Sequence, residues 1–100
     1  MPVNMIVRRK GDYLDTQLKR LRKEGTVILK KHGALSHRFG FYHSGPYAGQ
    51  IVVVLTYSDL AAYERAMTGM SEDADWKRIG GEVEKLAPIQ ESYLTMTEDQ

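Results

Sequence analysis

Val3, Met5 and Val7 alternate with Asn4, Ile6 and Arg8 near the start of the chain, a two-residue period that predicts a strand ending at Lys10-Gly11. The period then changes. Asp12 supplies an N-cap, and Leu14, Leu18, Leu21, Gly25, Ile28, Leu29 and His32 recur at helical spacing, which predicts a helix over 12–32 with one buried stripe. Lys19, Arg20, Arg22, Lys23, Glu24, Lys30 and Lys31 form its wet side. Gly33 stands where a helix C-terminal glycine belongs. Gly25, inside the helix at a cost of about 1 kcal/mol relative to Ala, marks a close packing contact.

Alternation returns from Leu35 to His43, with Leu35, His37, Phe39, Phe41 and His43 on one face and Ser36, Arg38, Gly40 and Tyr42 on the other. Ser44-Gly45-Pro46-Tyr47-Ala48-Gly49 is a turn signal that makes this strand and the next an antiparallel hairpin. The third strand, Gln50 to Tyr57, is apolar on both faces through Ile51-Val52-Val53-Val54 and belongs in the middle of a sheet. Ser58 caps a second helix carrying Leu60, Tyr63, Met67 and Met70. Ser71 caps a further helical segment carrying Trp76, Ile79, Val83 and Leu86, with Gly69 between the two. Within it, Gly80-Gly81 marks close backbone approach or a kink; no strand precedes it and no Lys-Ser/Thr follows, so it is not a phosphate loop. Pro88 closes the helical region, and Ile89, Glu91, Tyr93 and Thr95 alternate with Gln90, Ser92, Leu94 and Met96 in a last strand.

The fold class predicted is α+β: a ferredoxin-like βαββαβ order with a four-stranded antiparallel sheet and its helices on one face. The 100 residues fit a single domain, 1–100, and a chain of this size buries only roughly 60 to 68% of its unfolded surface. Helices on one face leave the second apolar side of the central strand open, so a homodimer packed through the sheet face is expected.

Lys and Arg number 14 against 13 for Asp and Glu, a formal net charge of +1, which argues against nucleic acid or an anionic membrane as partner. Apolar residues at 42% and charged ones at 27% are ordinary for a folded chain, so disorder is not expected. The absence of Cys removes disulfides, thiolate chemistry and Cys-ligated metal. The N-terminus lacks the apolar stretch of a signal peptide, and the longest apolar run, Ile51 to Leu55, is too short to span a bilayer; a cytoplasmic location is expected.

The run Gly33-Ala34-Leu35, the hairpin Gly45-Pro46-Tyr47-Ala48-Gly49-Gln50-Ile51-Val52-Val53-Val54, the segment Tyr57-Ser58-Asp59-Leu60-Ala61-Ala62-Tyr63 and then Asp73-Ala74-Asp75-Trp76 resemble, in order and spacing, the dimeric α+β barrel superfamily. That group includes antibiotic-biosynthesis monooxygenases, stress-responsive barrel proteins and NIPSNAP-like proteins. The last segment looks like an Asp-Pro-Glu-Trp helix of NIPSNAP-like members, with Ala74 and Asp75 where Pro and an acid usually stand. The resemblance implies two sheets facing each other across a dimer and a pocket between sheet and helices. It also implies a pocket role for Asn4, similar in placement to an Asn of monooxygenase-like and heme-degrading members. Heme-degrading members rely on a Trp in the second helix and a His further along it; here Tyr63, Arg65 and Ile79 occupy the comparable stretches and Trp76 is displaced, which speaks against heme degradation.

His37 and His43 share a strand face with Phe39 and Phe41, an aromatic wall with two imidazoles that titrate near neutrality; with Arg38 they are the catalytic candidates. The competing reading is a strand near a sheet edge or dimer seam, where these rings only pack. Six positions apart on one strand, the two His are about 20 Å apart and cannot share a metal, so no metal site is expected. Asn4, Arg8, Arg38 and Tyr42 lie on polar strand faces suited to fixing a carboxylate or phenolate, if those faces meet the pocket. Tyr57 and Trp76 complete the ligand-contact candidates, Trp76 being first of all a packing residue at the start of a buried stripe.

Two functions compete. One is a small-molecule-binding barrel protein with no reaction of its own, taking a small apolar or aromatic ligand and no cofactor. The other is a cofactor-independent oxygenase or isomerase acting on an aromatic or polyketide-like substrate, with acid/base groups drawn from His37, His43, Arg38 and Asn4. The sequence holds no paired acid/base constellation, and fold likeness does not establish chemistry.

Overall fold

Alternation of β-branched and aromatic residues builds four strands, and three helices fill the connections. The computed structural model describes residues 1–100. The order is β1 (Val3–Arg9), α1 (Thr16–Lys31), β2 (Ser36–Phe41), β3 (Ile51–Tyr57), α2 (Leu60–Ser71), α3 (Ala74–Leu86) and β4 (Ile89–Met96). The sheet runs β2-β3-β1-β4 with every neighbour antiparallel, so β3 is central as expected, and β1 is the second central strand. One row across it reads His37, Leu55, Met5 and Leu94; the next reads Phe39, Val53, Val7 and Ser92.

Odd-numbered residues of β1, β2 and β3 face the helices. Val3, Val7, Ile51, Val53, Leu55 and Tyr57 are buried there with Leu18, Leu21 and Leu29 of α1, Ala66 and Met70 of α2 and Ile79 of α3. The even-numbered face, with Asn4, Ile6, Arg8, Arg38, Val52, Val54 and Thr56, has no helix over it, and Ile6, Val52 and Val54 stay half-buried. No helix is long and apolar enough to cross a membrane.

Several element ends differ from the sequence expectation, and each for a local reason. α1 starts at Thr16 because Asp15, not Asp12, reaches the helix: its Oδ1 accepts from the Leu18 N–H at 2.8 Å. Asp12 instead accepts from the Leu14 N–H in the preceding turn, which takes Leu14 off the buried stripe and leaves it 67% exposed. Asp59 replaces Ser58 as cap of α2, and Asp73 replaces Ser71 as cap of α3: the Asp59 carboxylate accepts the Ala62 N–H, and that of Asp73 accepts those of Asp75 and Trp76. The Ser71 hydroxyl turns back to the Thr68 carbonyl at 2.7 Å.

Gly69 lies inside α2, and the break falls at Glu72-Asp73. Gly80-Gly81 does not interrupt α3 and makes no close approach: the helix runs through both, and a Cβ on either would meet nothing within 4 Å. Gly25 faces α3 but not at the close approach expected: a Cβ there would sit 3.9 Å from Trp76 and 4.0 Å from Ile79, ordinary van der Waals contact. β2 ends at Phe41 rather than at residue 43, because Tyr42 and Gly49 close the hairpin through their backbone bonds and carry His43 into the loop.

Candidate functional site

Between the sheet and the helices lies a cavity of about 210 Å³. Its floor is Met5, Val7, Phe39, Val53 and Leu55 of the sheet; Leu21, Gly25 and Leu29 of α1, Met67 and Met70 of α2, and Trp76, Ile79, Gly80 and Val83 of α3 form the roof. Space exists because Gly25 and Gly80 carry no side chain where the helices cross the sheet, and a Cβ on Gly80 would still touch nothing. Only Arg9, Arg22 and His37 among the lining residues have polar side chains, and no carboxylate lines it.

Arg9 is already engaged. An odd-numbered residue of β1, it faces the helices, where Nη1 donates to Glu84 Oε2 at 3.0 Å and to the Ala87 carbonyl at 2.8 Å. Burial pulls the Arg9 pKa down, and the bond and charge of Glu84 push it back up.

His37 is held by Thr26. His37 Nδ1 and Thr26 Oγ1 are 2.6 Å apart, and the same hydroxyl donates to the Arg22 carbonyl at 2.9 Å, one turn back in α1. A threonine has one hydroxyl proton, so its oxygen accepts from Nδ1–H, which leaves Nε2 as a bare acceptor with no protein partner. Burial lowers the His37 pKa, and the nearby cations Arg22 and Lys30 lower it further, so the ring is neutral at pH 7.

Arg22 supplies charge without a counter-ion. Its guanidinium carbon lies 4.9 Å from the ring centres of both Tyr13 and Phe39. Its Nη1 is buried without an acceptor, and it takes part in no ion pair. The site therefore joins an uncompensated cation, a neutral imidazole acceptor and an aromatic wall.

A model of a domain family of unknown function, DUF6854, matches residues 10–87. The chain belongs to this family. No curated protein matches it in sequence. Among solved structures it is similar to SnoaB, a cofactor-independent oxygenase from Streptomyces nogalater, at 13% identity and a TM-score of 0.74, over 99% of this chain and 95% of that one. An uncharacterised NIPSNAP domain protein from Burkholderia xenovorans is 18% identical with a TM-score of 0.73, covering 98% and 95% of the two chains. Protein Atu4242 from Agrobacterium tumefaciens is 19% identical with a TM-score of 0.71, covering 100% and 94%. At these identities the likeness shows the fold, an α+β arrangement with a four-stranded antiparallel sheet, and leaves the chemistry open.

Of the residues singled out from sequence, the cavity brings together His37 and Trp76. Asn4, Arg8, Arg38 and Tyr42 stand on the opposite face of the sheet, because they hold even-numbered positions on β1 and on β2 or just beyond it. There Asn4 accepts from the Thr56 hydroxyl at 2.9 Å and donates to Thr97, and Arg38 is exposed. Arg8 donates to Gln50 at 2.6 Å and stacks 3.7 Å above Tyr47, whose ring meets Tyr42 edge-on. His43 is exposed in the hairpin loop. Tyr57 faces the helices but is sealed in the core against Leu29, Ala66 and Met70, outside the cavity; its hydroxyl has no partner and burial pushes its pKa up to about 12.

Arg22 and Thr26 are the site residues that the sequence pattern did not single out. Arg22 follows Leu21 and precedes Gly25 by three, so it sits on the margin of the stripe among residues that are solvated. Its i, i+4 relation to Thr26 was the available signal.

Proposed function

We infer that the protein binds a small, mostly apolar molecule about one ring in size in the cavity between sheet and helices. The observation that carries this is the apolar cavity of about 210 Å³, with only three polar groups on its wall. Preformed, mainly apolar hollows with few polar groups are the usual form of a ligand site, and an apolar cavity of roughly 150 Å³ suffices for benzene. The unit of function in this reading is a homodimer packed through the open sheet face, supported by half-buried Ile6, Val52 and Val54 on a face that no helix covers. A chain without Cys suits a reducing compartment, and we take its location to be cytoplasmic. The oxygenase or isomerase alternative draws on fold likeness alone, and binding is the reading adopted.

Trp76, the single tryptophan, lines the cavity and reports on it. Titration with iodobenzene, whose heavy atom quenches indole emission on contact, is expected to give saturable quenching that is lost in Gly80→Leu. Purely collisional quenching that never saturates, equal in both proteins, would overturn the reading.

A further inference from the structure

We propose that His37 and Arg22, with Thr26 holding the His37 ring from behind, make one wall of the cavity a site for a weak oxygen acid, an enol or a phenol. Its O–H would donate to His37 Nε2, and its developing negative charge would lie beside the Arg22 guanidinium. This rests on the cavity being a ligand site and adds the chemical class of the ligand.

Nε2 is an acceptor because Thr26, whose own proton goes to the Arg22 carbonyl, occupies Nδ1–H. Arg22 is a cation that takes part in no ion pair, and no acid lines the cavity. An apolar ligand alone leaves both groups desolvated and unanswered, which is costly. A strong acid such as a carboxylic acid arrives ionised, brings no proton for Nε2, and sets its charge against the lone pair of a neutral ring. A weak acid answers both groups with one oxygen. On transfer the O–H bond breaks, its electron pair stays on oxygen, and the proton forms an N–H bond at Nε2, giving an imidazolium still tethered at Nδ1. The charged groups that bear on this ring are Arg22 and Lys30; Arg9, on the same cavity wall, is neutralised by Glu84. Both cations favour the ligand anion over free imidazolium. Thr26 is a positioning residue, since it sets the tautomer and touches no ligand atom.

The test compares para-nitrophenol, para-nitroanisole, which has the same ring without the acidic proton, and para-nitrobenzoate, by calorimetry and by absorption of the phenolate band. Nitrophenol is expected to bind at least about tenfold more tightly than either comparison compound, the worth of one hydrogen bond to a charged partner. The phenolate band is expected at a pH where the free probe is protonated. His37→Phe is expected to abolish the band while nitroanisole still binds. Thr26→Val is expected to move its midpoint to higher pH, and Thr26→Ser to restore it. Equal binding of nitrophenol and nitroanisole with no bound phenolate would overturn this inference and leave the cavity as a ligand site. Binding of none of the three would overturn the cavity reading itself, and this inference with it.

Discussion

His32 Nε2 lies 2.8 Å from Asp73 Oδ2, while Oδ1 of the same carboxylate accepts the backbone N–H groups of Asp75 and Trp76 that open α3. One side chain thus ties the end of α1 to the start of α3 and fixes the entry of Trp76 to the cavity roof. The His32 bond, then the Trp76 N–H, hold the Asp73 carboxyl down at about 2, with Lys31 and the Asp75 N–H assisting against partial burial. A carboxylate depressed on folding stabilises fully above its unfolded pKa near 3.9, and that contribution is lost as the pH falls through the folded value. Asp73→Asn is expected to lower the stability at pH 7, with the deficit closing between about pH 4 and about pH 2. Urea melts across that range check it.

Gly69 and Gly81 are both helical, and alanine at either gains helix propensity of up to about 1 kcal/mol. A Cβ on Gly69 would stand 2.6 Å from His32 Nδ1, and His32 cannot yield without losing Asp73. Gly69→Ala is therefore expected to destabilise by about 1–3 kcal/mol, the usual cost of overpacking. On Gly81 a Cβ meets nothing, so Gly81→Ala is expected to stabilise by about 0.5–1 kcal/mol. Thermal melts of the two variants should move in opposite directions.

The Tyr57 hydroxyl is buried with no partner. Such a group carries a desolvation cost of about 1–3 kcal/mol, and deleting the oxygen leaves the ring packed against Tyr63. Tyr57→Phe is expected to raise the melting temperature; a lower one would show that the hydroxyl has a partner in solution.

His37 titrates below its ordinary 6.5 because of burial first, then Arg22 and Lys30. A histidine depressed on folding costs stability as the pH falls below 6.5, where the unfolded chain takes up a proton that the folded ring refuses. His37→Phe is expected to flatten that limb of the stability profile. Arg22→Met is expected to raise the His37 midpoint toward 6.5, read from its ring proton by NMR.

Val54 stands at the centre of the open sheet face, between Ile6 and Arg38. Val54→Lys is expected to yield a folded monomer, with half the mass by light scattering and an unchanged circular dichroism spectrum. A wild-type protein that is monomeric at micromolar concentration would refute the dimer.

The element order, the central place of β3 and the one-sided helical layer were legible in the chain because period and β-branching depend on neighbours only a few residues away. Val53 and Leu55 announce a buried face wherever the strand is placed. The caps were less legible: Asp12 and Asp15 have the same chemistry, and which one reaches Leu18 depends on how the turn before α1 closes. The site was half legible. His37 and Trp76 stood out by residue type, yet β2 carries polar groups on both faces, so only pairing with Leu55 and the packing of α1 and α3 decided that His37 meets the cavity and Arg38 does not. Arg22 reads as a solvated helix residue until the fold sets Tyr13 and Phe39 against it. Local pattern determined which surfaces must be buried; the tertiary structure decided which polar groups share the buried space, because that depends on contacts between residues far apart in the chain.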